Sequence, residues 1–332
     1  MLSYPIIERE DRTMRQFARP SRQYDMSISQ LDSRTLRYAT MAIIAIGLAA
    51  CSADQSLPLA PQHAGLASAK VASPSLVYVS DASGVDQLWT TVNGVASRFT
   101  FSDAADRTPH SAAGHLVFAS YRSGDEEIYM AKNDLSGLKR LTAVNGQDEQ
   151  AKLSPNAARI AFVSTRSGTA RLWTMDSTGA EQLALNTAST SNVPEAAPAW
   201  SPNGAQIAFT STRTGMSQVF VVAAAGGTPV QLSHEMNGAF DPAWSADGTQ
   251  IYFVSVVGSP SIRSVTLSTG ATSDWVSNAA GIGQPACASS GCFAVTGAYG
   301  ANGDIVMIGH HGAISTVVST AANENSPTVL VP

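Results

Sequence analysis

One short apolar run recurs six times, and it limits what this chain can fold into. It reads LVYVS at 76–80, LVFAS at 116–120, IAFVS at 160–164, IAFTS at 207–211 and IYFVS at 251–255, with a weaker copy, CFAVT, at 292–296. The closing Ser or Thr falls at 80, 120, 164, 211, 255 and 296, in steps of 40, 44, 47, 44 and 41. Self-similarity at that period is the mark of a propeller blade of four strands. A turn glycine later in each unit counts the same number independently: Gly94, Gly137, Gly179, Gly227, Gly270 and Gly312.

Three more strands flank each run. Between the two markers lie QLW at 87–89, EIY at 127–129, RLW at 171–173 and QVF at 218–220, with weaker copies SIR at 261–263 and DIV at 304–306. After each glycine comes a further short strand: ASRFT, LKRLT, AEQLA, PVQLS, TSDWV and ISTVV. Before each run stands PAWSPNG at 198–204, PAWSADG at 242–248, AKLSPNA at 151–157, or a looser version, TPHSAAG at 108–114 and QPACASSG at 284–291. These runs are β-branched or aromatic and are bounded by turn residues. Their Asn-Gly and Asp-Gly pairs supply the positive φ of tight hairpins. No stretch keeps a helical spacing.

Each unit is therefore a meander of strands a, b, c and d. The chain enters its first unit at strand b. It finishes with NSPTVLVP at 325–332, a strand a with no strand b after it. That segment completes the first blade and removes the open edge of the ring. The expectation is an all-β fold: a six-bladed β-propeller of four-stranded antiparallel blades over residues 75–332, closed by the C-terminal strand beside Leu76–Ser80. Only 14% of residues are charged, against ~25% in an ordinary soluble domain. That scarcity suits sheets stacked face to face.

The first 50 residues read as an address. Ala39 to Ala50 is a mostly apolar run of the length of a secretory signal centre, too short for the ~20 residues that span a bilayer. Arg34 and Arg37 form its positive flank, and Met26 reads as the start of that leader. Leu48-Ala49-Ala50-Cys51 resembles the lipobox of bacterial lipoproteins. The resemblance implies cleavage before Cys51 and lipidation of its thiol, hence a membrane partner through the anchor. Residues 51–74 are then anchor and tether, reaching roughly 25–30 Å as a flexible coil. Removing residues 1–50 leaves 13 basic and 20 acidic residues. The net charge moves from −5 to −7, which argues against nucleic acid as a partner.

The series PAWSPNG, IAFTS, TRTG, QVFVV, GG, PVQLS resembles the repeat of the TolB propeller family, over about residues 75–332. The resemblance implies a bacterial periplasmic propeller that binds envelope protein, with a peptidoglycan-associated lipoprotein-like molecule as the implied partner. Two departures stand out. Here only a tether precedes the propeller, where TolB carries an α/β domain, and this chain looks lipidated. Ser52 after the cysteine leans toward the outer membrane by family analogy. The leading expectation is a non-enzymatic, lipid-anchored envelope scaffold. The alternative is a carbohydrate-binding or polysaccharide-lyase-type propeller, since repeats of this type also occur in oligogalacturonate lyase, which holds a metal on histidines.

Candidate residues come from the repeats and from their exceptions. Arg122, Arg166 and Arg213 share one place in the b–c turn, in SYRSG, STRSG and STRTG. Acidic residues recur three positions before the strand a Pro or its equivalent: Asp106, Asp148, Glu195 and Glu324, with Asp241 closer to its Pro. One reading is a charged mouth that binds a partner, because the Arg fork pairs carboxylates. The favoured reading is that Arg and acid pair with each other, since a repeated position usually serves the blade. The longest d–a loop, Ala184–Ala197, is the best non-repeating candidate. Cys287 and Cys292 flank a four-residue hairpin. Either they form a disulfide worth about 2 kcal/mol, or they are two buried thiols. His110 and His234 fall near the mouth and the pair His310–His311 on the outer rim, without a metal-ligand spacing. No catalytic residue, metal site or cofactor is assigned.

Overall fold

The computed structural model describes residues 75–331 apart from 186, 188–191, 257–258, 278–280, 290, 298–302 and 310–311. The leader, Cys51, the tether and the His310–His311 pair lie outside the described residues.

Six four-stranded antiparallel sheets follow one another around a ring. Blade 1 holds β1 (Leu76–Ser80), β2 (Gln87–Val92) and β3 (Val95–Arg98). Blade 2 holds β4 (Asp106–Ala112), β5 (His115–Ser120), β6 (Glu127–Lys132) and β7 (Lys139–Arg140). Blade 3 holds β8 (Asp148–Leu153), β9 (Arg159–Ser164), β10 (Arg171–Asp176) and β11 (Leu183–Ala184). Blade 4 holds β12 (Glu195–Trp200), β13 (Gln206–Ser211), β14 (Gln218–Ala223) and β15 (Val230–Gln231). Blade 5 holds β16 (Ala239–Trp244), β17 (Gln250–Ser255), β18 (Ser261–Thr266) and β19 (Thr272–Val276). Blade 6 holds β20 (Gly283–Ala288), β21 (Gly291–Thr296), β22 (Asp304–Ile308) and β23 (Ile314–Val318). The last strand, β24 (Glu324–Val329), joins β1 and completes blade 1.

The recurring strand b explains the ring. Its side chains alternate faces, and both faces are buried against a neighbouring blade. In β9, Ile160 and Phe162 enter the core shared with blade 2, while Ala161 and Val163 enter the core shared with blade 4. In β1, Leu76 and Tyr78 face blade 6, and Val77 and Val79 face blade 2. Blade 6 keeps the rule with sizes exchanged: Cys292 and Ala294 face blade 5, Phe293 and Val295 face blade 1. One apolar cluster thus fills each of the six junctions.

Strand a lines the central channel and carries a bulge in every blade. The residue before its Pro, or before Ala151, has positive φ: Thr108 47°, Gln150 54°, Ala197 51°, Asp241 47°, Gln284 52° and Ser326 49°. Such a backbone costs roughly 1–2 kcal/mol without glycine. Bonds between blades offset part of it. The Ala197 N–H donates to Gln150 Oε1 at 2.6 Å, and the Ser326 N–H donates to Gln284 Oε1 at 2.7 Å. Farther down, the Nε1 of Trp200 and Trp244 donate to the Lys152 and Ala199 carbonyls of the preceding blades.

The outer strands differ from expectation. The five-residue patterns of blades 2, 3 and 4 yield only two-residue strands. Leu141 and Leu185 turn inward and are buried, where they keep one bond each to strand c. Apolar burial therefore ends the ladder early.

Ring closure ties in more than blade 1. The Val331 carbonyl accepts from the Gly114 N–H at 2.9 Å, and the Val331 N–H donates to Ser111 Oγ at 3.1 Å, both in blade 2. A chain lacking Glu324–Pro332 is expected to lose its single cooperative melting transition in calorimetry, because blade 1 loses its inner strand and two junctions open. Retention of that transition at an unchanged midpoint would refute the latch.

Candidate functional site

Strands a start on the face that bears the d–a loops and b–c turns, so the predicted Arg and acidic groups meet there. Asp106, Asp148, Glu195 and Glu324 each open a strand a, and their side chains are buried. Arg122 Nη2 meets both oxygens of Asp106, at 2.7 and 2.9 Å. Arg166 Nη2 donates to Asp148 Oδ2 at 2.6 Å, and Arg213 Nη2 donates to Glu195 Oε1 at 2.8 Å. Each Arg Nε also donates to the last Ser of its strand b: Ser120, Ser164 and Ser211. Each guanidinium stacks over two rings of its own blade: Phe118 and Tyr129, Phe162 and Trp173, Phe209 and Phe220. A planar cation can satisfy a carboxylate edge-on and aromatics face-on at once, which an ammonium cannot.

The exceptions are informative. Blade 5 has Ala239 where the acid should open strand a. Its clamp is rebuilt from Glu235 in the preceding loop and Arg263 on strand c, 2.5 Å apart, with Ser255 Oγ donating to Glu235. Sequence reasoning missed this pair. The signal was Arg263 standing where blades 1 to 4 carry an aromatic. Blade 1 keeps the acid, Glu324, but Ala82 stands in the Arg position. Ser80 and Thr320 hydroxyls donate to Glu324 Oε1. Burial above all raises its pKa, with Asp304 adding to the shift.

Asp241 departs from this set. It sits at the bulge of β16, half-buried in the channel, where Lys152 of blade 3 is the charge that acts on it. Burial raises the Asp241 pKa against the pull of Lys152, and burial lowers that of Lys152 to about 8. His110 lines the same stretch. Its Nδ1 accepts the Leu153 N–H at 3.1 Å, and burial followed by Lys152 holds its pKa well below the usual range. Blades 4, 5 and 6 place Ala199, Ala243 and Ala286 where blades 2 and 3 place His110 and Lys152. The channel charge is thus an exception laid over the repeat.

At the mouth above them, Arg107 pairs with Asp86 at 2.8 Å and stacks over Tyr121. The Tyr121 hydroxyl donates to Glu126 at 2.8 Å. Glu149 stands beside this group. Burial first, and then Glu126, lift its pKa to about 7, with Arg107 opposing. In the long d–a loop, Thr187 is buried and bonds Glu195. Residues 186 and 188–191 of that loop lie outside the described residues. Cys287 and Cys292 are directly paired across β20 and β21 and form a disulfide. His234 contacts Gln231. Among the described residues no group of three or more His, Cys, Asp or Glu is placed to hold a metal ion.

Two predictions follow from the exceptions. Ala82→Arg should supply the missing cation of blade 1 and stabilise the fold by about 1 kcal/mol at neutral pH. Because Glu324 is protonated more readily than a free carboxyl, that gain should shrink toward about pH 4; an equal gain at both pH values in urea melts would refute the pairing. For Glu149 the raised pKa favours the folded state fully below its unfolded value of about 4.3, and that contribution is lost as pH rises through about 7. Glu149→Gln should therefore reduce the fall in stability between about pH 5 and about pH 8, with unfolding midpoints as the measure.

Residues 186–331 match the family model described as the TolB beta propeller domain, PD40. No curated protein matches the chain in sequence. Among solved structures, TolB from Acinetobacter baumannii superposes with a TM-score of 0.65 at 17% identity, covering 79% of this chain and 67% of that one. A putative TolB from Agrobacterium tumefaciens gives 0.61 at 17% identity, covering 75% and 90%. Oligogalacturonate lyase from Vibrio parahaemolyticus gives 0.52 at 9% identity, covering 74% of each. At these identities the likeness is one of fold. With the six-bladed ring, its closure and the matched repeats taken together, the chain is a six-bladed β-propeller whose second half is similar to the TolB propeller domain.

Proposed function

We propose that this protein is an exported, lipid-anchored scaffold that captures an envelope protein on the loop-bearing face of its ring. The observation that carries the reading is a pair of exposed methionines there. Met236, in the loop before β16, is 84% exposed, and Met216, in the b–c turn of blade 4, is 49% exposed. Their loops are bonded side by side: the Ala239 N–H donates to the Ser217 carbonyl and Gln218 Nε2 donates to the Glu235 carbonyl. Phe101, in the loop before β4, adds an exposed ring on the same face. Unbranched, polarisable side chains adapt to a partner's apolar surface. Apolar groups displayed on one face mark a contact surface.

The clamp residues Arg122, Arg166 and Arg213 hold the loops, and the exposed groups between them meet the partner. The polar mouth, with Arg107, Tyr121 and Glu149, would set its orientation. The resemblance to TolB favours a peptidoglycan-associated lipoprotein-like partner and a periplasmic site, with Cys51 as the anchor, at the outer membrane by the Ser52 analogy. The scaffold reading assigns no catalytic step.

A photo-crosslinker placed at Met236 in cells should give one discrete protein adduct. Met216→Asp with Met236→Asp should abolish that adduct, with the crosslinker moved to Phe101, while the melting temperature stays unchanged. An undiminished adduct would sink the placement. Cys51→Ala should stop incorporation of labelled palmitate and release the chain from the membrane fraction; labelling of that variant would exclude Cys51 as the anchor.

A further inference from the structure

The opposite face, formed by the a–b and c–d turns, carries a groove of about 630 Å³ between blades 3 and 4. Pro155, Asn156, Arg159, Trp200, Pro202 and Asn203 line it. The groove breaks the repeat. Trp244 occupies in blade 5 the place that Trp200 occupies in blade 4, yet Trp244 is 6% exposed while Trp200 is half-buried. The Trp200 ring is fixed, since its Nε1 donates to the Lys152 carbonyl and it packs on the core between blades 3 and 4. Its groove-lining surface is preformed, at no further entropic cost to a ligand.

The polar groups are aimed as well. Asn156 Oδ1 accepts from the Ala158 N–H and Ser154 Oγ, and Asn203 Oδ1 accepts from the Ala205 N–H and Ser201 Oγ. With each amide oxygen held by its own turn and both residues exposed, the Nδ2 groups are left as donors for a ligand. Arg159 reaches the rim, where Nη1 pairs with the exposed Glu181 at 3.1 Å and Nη2 donates to Thr174 Oγ1. An exposed pair of this kind adds about 0–1 kcal/mol and is readily exchanged.

We infer that this groove binds a short acidic oligosaccharide. A sugar ring lies with its C–H face on Trp200 between the two proline rings, and its hydroxyls accept from Asn156 and Asn203 Nδ2. A uronate carboxylate replaces Glu181 on Arg159. Flat apolar walls alternating with planar amide donors suit a pyranose, which is apolar on its faces and polar around its rim. A single guanidinium suits one carboxylate better than a polyphosphate. Because the groove opens away from the loop-bearing face, the ring can hold a glycan and a protein at once.

The test is a tryptophan-fluorescence titration of the detergent-solubilised full chain with trigalacturonate and with maltotriose. Trigalacturonate should saturate in the millimolar range or below, at least about tenfold more tightly than maltotriose. Asn156→Asp with Asn203→Asp, which removes both Nδ2 donors but keeps the turn-holding oxygen that Asp247 supplies in blade 5, should weaken binding at least about tenfold with no change in melting temperature. Arg159→Gln should erase the preference for the acidic sugar. Met236→Asp should leave sugar binding untouched, which separates this site from the protein-binding face. Absence of saturable trigalacturonate binding, equal binding of the two sugars, or indifference to the asparagine double variant would each overturn the inference.

Discussion

Everything in this ring depends on strand b having no solvent face. A strand usually hides one side and wets the other. Here Ile160 and Phe162 point one way and Ala161 and Val163 the other, and both sides are dry. A lone blade would expose one apolar face on each side, so no blade is stable without its neighbours. That demand accounts for the low charge content, for the number of blades being fixed by closure, and for the last strand returning to the first blade.

Closing a ring of twisted sheets leaves an awkward rim where strands a converge. The molecule handles the rim in two ways. The inner strand bulges at every blade, and side chains such as Gln150 and Gln284 reach across to hold the next bulge. Just above, a buried carboxylate, a serine and an arginine laid on two aromatic rings pin the b–c turn to the start of strand a. A buried carboxylate without its cation is costly, so the clamp works only as a complete set. Blade 5, with its acid and turn arginine displaced, rebuilds the set with Glu235 and Arg263 from other elements, whereas blade 6 has Ile282 and Ala298 in the acid and arginine positions. Blade 1 has an incomplete version and keeps Glu324 under strain of charge.

The sequence displayed the ring more openly than it displayed the site. Strand b is legible because two-sided burial forces apolar residues at every position, and the closing strand because its Ser-Pro pattern had no partner after it. The outer strands were over-read, since a residue such as Leu141 looks like part of the strand but is buried past the end of the ladder. The clamps of blades 2, 3 and 4 were visible as a repeat. The blade 5 version was not, because its arginine moved to another strand. Lys152, Glu149 and Asn156 each look like an ordinary polar residue along the chain. Only the fold places one in the channel, one at its mouth and one over a groove on the far side. Met216 and Met236 are twenty residues apart in sequence and become neighbours through bonds between their loops.

The closing strand also decides where a mechanical load enters. Blade 1 is the blade assembled from two distant parts of the chain. The segment upstream of Ser75 leaves the ring beside that seam, where the Leu330 N–H donates to the Ser75 carbonyl. A pull on that segment acts on β1 first, hence on the pairing of β1 with β24, before any other blade is loaded. Whatever holds the upstream segment therefore holds the ring by its clasp, and tension there would open it by releasing β24 while the other five blades keep their full complement of strands.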